Sequence, residues 1–207
     1  MVMHSEVVMS DWTGNHKSIS VINGLNGHSA SVRERNDYYA TDPLAVDRLL
    51  SGGVQLKSDI WEPACGEGHL SERLKHFGYS VYSTDLIDRG YGDDHFDFLT
   101  CDRSWHGDIV TNPPYKYAAE FAEHALDLVE HDGTVALFLK LTFLEGQKRA
   151  ALFDRRELEC VYVFRKRILC AKNADFDGLK AAGGSAVAYA WFVFRKGYNG
   201  YPRIMWI

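Results

Sequence analysis

Strand and helix patterns alternate along this chain, and the alternation predicts an α/β fold: a doubly wound, seven-stranded, mostly parallel sheet with helices on both faces. Three observations carry that expectation. A Gly-rich turn, Cys65-Gly66-Glu67-Gly68, follows the strand-like Asp59-Ile60-Trp61-Glu62 and opens a helical pattern. The segment from Gly133 to Lys140 is apolar almost throughout, as a strand covered on both faces is. The last two β runs, Leu158 to Phe164 and Ala186 to Phe194, are joined by an irregular link, which suggests one antiparallel strand in the edge region.

In order, residues 1–34 are rich in Gly, Asn, Ser and His and read as an irregular N-terminal arm, leaving residues 35–207 as a single domain. Thr41 or Asp42 can cap a helix with Pro43 in its first turn; Leu44, Val46, Leu49 and Leu50 supply its apolar face, and Gly52-Gly53 ends it. The strand from Asp59 passes through the Gly-rich turn into a helix carrying Leu70, Leu74 and Phe77, which stops at Gly78. Ser80 to Asp85 is a second strand ending in a carboxylate. A loop with Gly90 and Gly92 follows, and Phe96 to Leu99 reads as the third strand. A fourth strand begins at Asp108 and ends abruptly at Asn112-Pro113-Pro114-Tyr115. Tyr117 to Val129 is a helix with Phe121, Ala125, Leu128 and Val129 on one side, and Gln147 to Leu152 is another.

The 207 residues suit one domain with a full core, and contents of 46% hydrophobic and 25% charged residues are those of an ordinary soluble protein. No apolar run approaches the ~18 residues of a membrane-spanning helix, and the N-terminus lacks the basic start and apolar stretch of a secretory signal. Cys65, Cys101, Cys160 and Cys170 lie far apart, with no CxxC pair and no matching histidine spacing. Reduced thiols, a cytoplasmic location and no metal site are therefore expected. A net charge of −5 argues against a protein that coats nucleic acid non-specifically, and leaves room for a local basic patch.

Two stretches carry chemistry. Neither proline of Asn112-Pro113-Pro114-Tyr115 can donate to a sheet ladder, and Pro114 forces Pro113 out of helical geometry. The backbone must leave the sheet extended and stiff, bringing a side-chain amide, a carbonyl and an aromatic face together, which suits a planar group bearing an NH2. In the Gly-rich turn, two glycines between strand and helix let a ligand approach the helix N-terminus. A dinucleotide fingerprint would place a third glycine where this chain has Ser71, which weakens an oxidoreductase reading against a plain structural turn. Asp85, about twenty residues on at the end of the next strand, is placed to accept hydrogen bonds from ribose hydroxyls.

Together, Glu62 to Gly68, Asp85 and Asn112-Pro113-Pro114-Tyr115 resemble the class I S-adenosylmethionine-dependent methyltransferases, whose fold is Rossmann-like. More narrowly they resemble the N6-adenine DNA methyltransferases with an Asn-Pro-Pro-Tyr loop, in the arrangement of small phage and prophage enzymes. The resemblance covers about residues 36–195. Asp37-Tyr38-Tyr39-Ala40-Thr41-Asp42-Pro43 is similar to that family's Tyr-x-Thr-Pro segment near the methionine end of the cofactor, with Asp42 inserted between Thr41 and Pro43.

The resemblance implies S-adenosylmethionine as cofactor, bound by Tyr39, Thr41, Glu62, Ala64, Gly66, Gly68, Asp85, Asp102 and Asn112. Asp102 is the first candidate to meet the cofactor's adenine amino group, with Asp97 second. The implied catalytic residues are Asn112, Pro113, Pro114 and Tyr115: the Asn112 oxygen and Pro113 carbonyl hold both N–H bonds of the acceptor amine, and Tyr115 stacks on the base. No metal is required. The sheet and helices use most of the chain after Tyr115, so no separate target-recognition domain fits. A basic, irregular insert from Arg165 to Ser185, with Arg165, Lys166, Arg167 and Lys172, is a candidate phosphate contact or an ordinary solvated loop. DNA is the leading partner. RNA or the side-chain amide of a protein glutamine is the alternative acceptor, and a non-catalytic cofactor-binding accessory protein is a third reading.

Overall fold

The computed structural model describes residues 38–172 and 174–207; the expected arm, residues 1–34, lies outside them. β1 (Tyr39–Thr41) leads into α1 (Leu44–Ser51). Of the two expected caps, Asp42 makes the turn: its carboxylate accepts the Leu44 N–H at 3.0 Å and its carbonyl the Ala45 N–H at 2.9 Å. Thr41 is thereby left for a different partner. β2 (Asp59–Glu62), α2 (His69–His76), β3 (Ser80–Asp85), β4 (Asp94–His95) and β5 (Asp108–Thr111) follow, then α3 (Ala118–Leu128), β6 (Thr134–Lys140) and α4 (Ala150–Asp154). The chain continues through β7 (Leu158–Val163), β8 (Cys170–Lys172), α5 (Phe176–Ala181), β9 (Tyr189–Arg195) and β10 (Arg203–Trp206).

Eight strands form the main sheet in the order β10-β7-β9-β6-β5-β2-β3-β4, while β1 and β8 pair antiparallel in a separate two-stranded ribbon. β9 runs antiparallel to both β6 and β7, and the other pairings of the main sheet are parallel. The fold is the expected Rossmann-like one, with eight strands in the main sheet where the sequence predicts seven. The antiparallel strand lies in the expected edge region, third from β10, and Tyr189 to Phe194 are all buried, as suits so apolar a strand with neighbours on both sides. The edge itself is β10, whose four residues are all exposed.

Phe96 to Leu99 is not the third strand. The strand there is Asp94–His95, and Phe98–Thr100 forms a single 3-10 turn. The Asp97 carboxylate accepts the Leu99 N–H at 3.0 Å, a local bond that competes with strand pairing, while Phe98 turns into the core. The insert expected to be irregular between β7 and β9 contains β8 and α5.

Alternate residues of the central strands feed two cores. Trp61, Ile109, Val135 and Leu137 pack with α3 on one face; Ile60, Val110, Ala136 and Phe138 pack with α1 and α2 on the other. At the start of β5, Asp108 accepts the Lys57 N–H at 2.6 Å and the Thr134 N–H at 2.7 Å, which fixes the strand against its surroundings. From β2 the chain moves outward to β3 and β4 on one side and to β5 and β6 on the other. A crevice therefore opens at the carboxyl ends of β2 and β5, where the strand order reverses.

Candidate functional site

The Gly-rich turn and the Asn-Pro-Pro-Tyr loop both emerge into this crevice, a cleft of about 650 Å3. Its walls come from residues 38–41, 62–65, 85–87, 97–99 and 112–117. The volume falls in the range of roughly 300–1,000 Å3 typical of clefts that bury a small ligand.

One half is built on the turn. Gly66 and Gly68 have φ of 56° and 82°, the left-handed region that glycine enters without a Cβ penalty. The Tyr38 ring lies so close over Gly66 that a Cβ there would overlap it, and the Tyr38 hydroxyl accepts the Glu67 N–H at 3.3 Å. Asp85 accepts the Gly66 N–H at 2.8 Å on one oxygen and the Ile87 N–H at 2.9 Å on the other. Each carboxylate oxygen keeps lone-pair capacity for a further donor. The Arg89 guanidinium stacks over the Tyr38 ring at 4.5 Å, with its Nε buried and unpartnered. Beneath the turn, Glu62 is buried and accepts the Ser71 hydroxyl, and Ser71 meets Ser83 at 2.7 Å. Burial pushes the Glu62 carboxyl up to about 8 against the opposing Ser71 hydrogen bond. Burial likewise raises the Cys65 thiol to about 12.

The other half is built on β5. Asn112 Nδ2 donates to the Tyr39 carbonyl at 3.1 Å and to Thr41 Oγ1 at 2.8 Å, with Cys170 Sγ at 3.7 Å. A carbonyl can only accept, so the amide NH2 must face the β1–β8 ribbon. The amide oxygen faces the other way, buried and without a partner. The Tyr115 hydroxyl meets Cys170 Sγ at 3.2 Å; its ring lies 6.2 Å from Tyr39 and 5.9 Å from Tyr189, with Lys140 Nζ 4.9 Å from its centre. Burial raises the Tyr115 and Tyr189 hydroxyls and the Cys170 thiol above their ordinary ranges. Tyr115 is thus a packed wall, and the more exposed ring of the cleft is Tyr117, at 41% exposure with Lys116 Nζ 4.8 Å from its centre.

Tyr39, Thr41, Glu62, Ala64, Asp85, Asn112, Pro113, Pro114 and Tyr115 all line the cleft, with Gly66 and Gly68 shaping the turn beside it. Asp102 is exposed and lies outside the lining, whereas Asp97 is part of it. Arg165, Lys166 and Arg167 are exposed just past the end of β7. Since β7 is parallel to β6 by way of the antiparallel β9, these cations sit at the same end of the sheet as the cleft but not in its walls. Arg167 donates to the Ala186 carbonyl at 2.7 Å and Arg165 Nε to the Trp206 carbonyl at 3.4 Å. Lys172 lies in β8 opposite Tyr39. Cys170, Tyr189 and Arg89 are site residues that sequence reasoning missed, and Tyr38 entered it only as part of the Asp37–Pro43 segment; no local pattern marks the first three, because the ribbon and the ring contacts join distant segments. Among the described residues no cluster of His, Cys, Asp or Glu could hold a metal ion, and no helix is long and apolar enough to cross a membrane.

No protein-family model and no curated protein matches the chain. Solved structures do. A Listeria monocytogenes protein described as a class I S-adenosylmethionine-dependent methyltransferase aligns with a TM-score of 0.54 at 13% identity, over 92% of this chain and 71% of its own. A modification subunit of a type I restriction enzyme from Vibrio vulnificus aligns with 0.55 at 13% identity, over 86% of this chain and 48% of its own. The type IIG restriction endonuclease BpuSI aligns with 0.54 at 15% identity, over 81% of this chain and 26% of its own. This chain thus spans about half the subunit and about a quarter of the endonuclease. At such identities the likeness shows the fold, which hosts many functions.

Proposed function

We propose that this chain transfers a methyl group from S-adenosylmethionine to an exocyclic amino group, N6 of adenine in DNA being the acceptor. The observation that carries the reading is the Asn112 amide oxygen, buried and unpartnered in the wall of the cleft. An orphaned buried acceptor costs about 1–3 kcal/mol, so its presence points to a donor supplied by a ligand.

The residues present fit the cofactor. Gly66 lets the Tyr38 ring close over the turn at the start of α2, Asp85 has acceptor capacity left for ribose hydroxyls, and Asp97 lines the adjoining wall. When bound, S-adenosylmethionine supplies an electrophilic methyl on a sulfonium centre. The acceptor amine is a poor nucleophile because its lone pair is delocalised into the ring. Asn112 Oδ1 and the Pro113 carbonyl accept its two N–H bonds and turn the lone pair out of the ring toward the methyl. These acceptors bind more tightly as the nitrogen becomes cationic, which lowers the barrier of an in-line displacement. As the N–C bond forms the C–S bond breaks, leaving the neutral thioether S-adenosylhomocysteine, and the cationic product gives up one proton to solvent. The rings of Tyr115 and Tyr117 bound the space for a planar base, which must leave a duplex to enter it.

Support for DNA comes from the exposed Arg165, Lys166 and Arg167 at the cleft end of the sheet and from the fold shared with a restriction-modification subunit. The test is incubation with tritiated S-adenosylmethionine and duplex DNA, structured RNA or protein extract in separate reactions. Label in DNA that is lost on Asn112→Ala is expected. Label confined to RNA or protein would overturn the DNA assignment, and an absence of cofactor binding in a calorimetric titration would overturn methyl transfer itself.

A further inference from the structure

We infer that the Tyr39 carbonyl, which can only accept, fixes the Asn112 amide in one of its two orientations, that Thr41 and Cys170 are positioning residues that hold its NH2 there, and that the acceptor site thereby selects N–H donors. The inference rests on the amino-methyl-transfer reading above.

A side-chain amide is nearly symmetric in shape but opposite in chemistry at its two ends. Presented by its oxygen, Asn112 accepts an amine; presented by its NH2, it would meet that amine donor to donor. The choice is made on the far side of the residue. Thr41 and Cys170 are direct partners across the β1–β8 ribbon, and together they form a platform under the Asn112 nitrogen. Thr41 Oγ1 stands 2.8 Å from Nδ2 and Cys170 Sγ 3.7 Å from it, beside the Tyr39 carbonyl at 3.1 Å. Thr41 is 3% exposed and Cys170 7%, so water has little access to replace either contact. A flipped amide would set Oδ1 against the Tyr39 carbonyl, two acceptors face to face.

The same thiol meets the Tyr115 hydroxyl at 3.2 Å, so one side chain of the insert between β7 and β9 touches both the first and last residues of the Asn-Pro-Pro-Tyr loop. This gives the insert a task at the acceptor site beyond any contact of its arginines and lysines with phosphate. It also separates Thr41 from the role the resemblance implies: its hydroxyl is engaged with the acceptor amide.

The experiment uses the full chain labelled with 15N. The Asn112 side-chain NH2 resonances are assigned by their loss in Asn112→Ala. Thr41→Val, which keeps shape but removes the acceptor, is expected to shift that pair and speed its exchange with solvent. Thr41→Ser is expected to restore both, and Cys170→Ala to move the pair by less. In parallel, Thr41→Val is expected to lower kcat on adenine-containing duplex about tenfold, the scale of one hydrogen bond, with S-adenosylhomocysteine affinity within about twofold and recovery in Thr41→Ser. An unshifted Asn112 pair in Thr41→Val overturns the inference. So does a loss of S-adenosylhomocysteine affinity at unchanged kcat, which would return Thr41 to the cofactor. If the unsubstituted chain methylates no amine, the function reading falls, while the resonances alone still decide the positioning role.

Discussion

Asp85 accepts the Gly66 N–H at 2.8 Å, so the acid that closes β3 and the turn that opens α2 are one unit across nineteen residues. Its second oxygen takes the Ile87 N–H at 2.9 Å. Asp85→Ala strips partners from both N–H groups and is expected to cost about 1–3 kcal/mol of stability, with Tm falling by about 2–4 °C per kcal/mol. It should also weaken S-adenosylhomocysteine binding at least about tenfold, since a hydrogen bond to a charged group is worth ~1.5–3 kcal/mol. Asp85→Asn keeps one acceptor and should fall between. Thermal unfolding and calorimetric titration read the two effects separately, and an Asp85→Ala protein that binds normally would leave the acid with the turn alone.

Tyr38 and Gly66 offer a coupled pair. Alanine at position 66 meets two penalties: a left-handed φ of 56°, worth about 1 kcal/mol, and overlap with the Tyr38 ring. Gly66→Ala is expected to lower both stability and cofactor-product affinity. In a Tyr38→Ala background only the backbone penalty remains, so the same substitution should cost less. A double-mutant cycle by urea unfolding measures the difference, and strict additivity would show that the ring moves aside freely.

The parts of the site that were legible in the sequence are those whose chemistry is local. Gly66, Gly68 and Asp85 announce a turn and a strand-end acid by spacing, and two prolines after Asn112 announce a stiff exit from a strand. The sheet class was legible because apolar runs such as that from Gly133 to Lys140 have one physical meaning when strand and helix alternate. What stayed hidden depends on pairing between distant segments. Thr41 opposite Cys170 joins a residue ahead of the main sheet to one in the insert between β7 and β9, and no periodicity in either segment encodes that register. The segment from Phe96 to Leu99 has strand-like composition, yet Asp97 bonds its own backbone and bends it. The order β7-β9-β6 follows from how completely β9 is buried, which becomes visible only when its neighbours are in place.

Glu62 should leave a signature in stability against pH. Its folded carboxyl is raised to about 8 by burial, above the ordinary value of 4.5. Between those values the folded state holds a proton that the unfolded chain has released, so stability falls as pH rises through the window. The slope is at most ~1.4 kcal/mol per pH unit. Glu62→Gln cannot ionise and still offers an oxygen to the Ser71 hydroxyl, so its difference from the natural chain should grow in its favour from about pH 5 to about pH 8 and then level. Urea unfolding across that range checks it, and parallel curves for the two proteins would falsify a neutral, buried Glu62.

Asp97 and Asp102 compete for the adenine amino group of the cofactor, and the geometry favours Asp97. Asp97 lines the cleft, with one oxygen bound to the Leu99 N–H at 3.0 Å and the other left to accept; Asp102 is exposed outside the lining. Substitution by alanine would confuse ligand loss with loss of the cap on the 3-10 turn. Asp97→Asn avoids this, because its oxygen can keep the Leu99 N–H while its NH2 replaces the acceptor that a 6-amino group needs. The natural chain is expected to prefer S-adenosylhomocysteine over S-inosylhomocysteine, which carries an oxygen at that position, and Asp97→Asn to lose or invert the preference. Asp97 is exposed in the unliganded chain, so the exchange of one hydrogen bond for a mismatch, about 1 kcal/mol, should move the ratio of the two affinities by roughly fivefold. Asp102→Ala should leave the ratio unchanged. If the preference instead disappears in Asp102→Ala and survives in Asp97→Asn, then the loop after the 3-10 turn must fold over the bound adenine, and the acid first suggested by the family resemblance holds it.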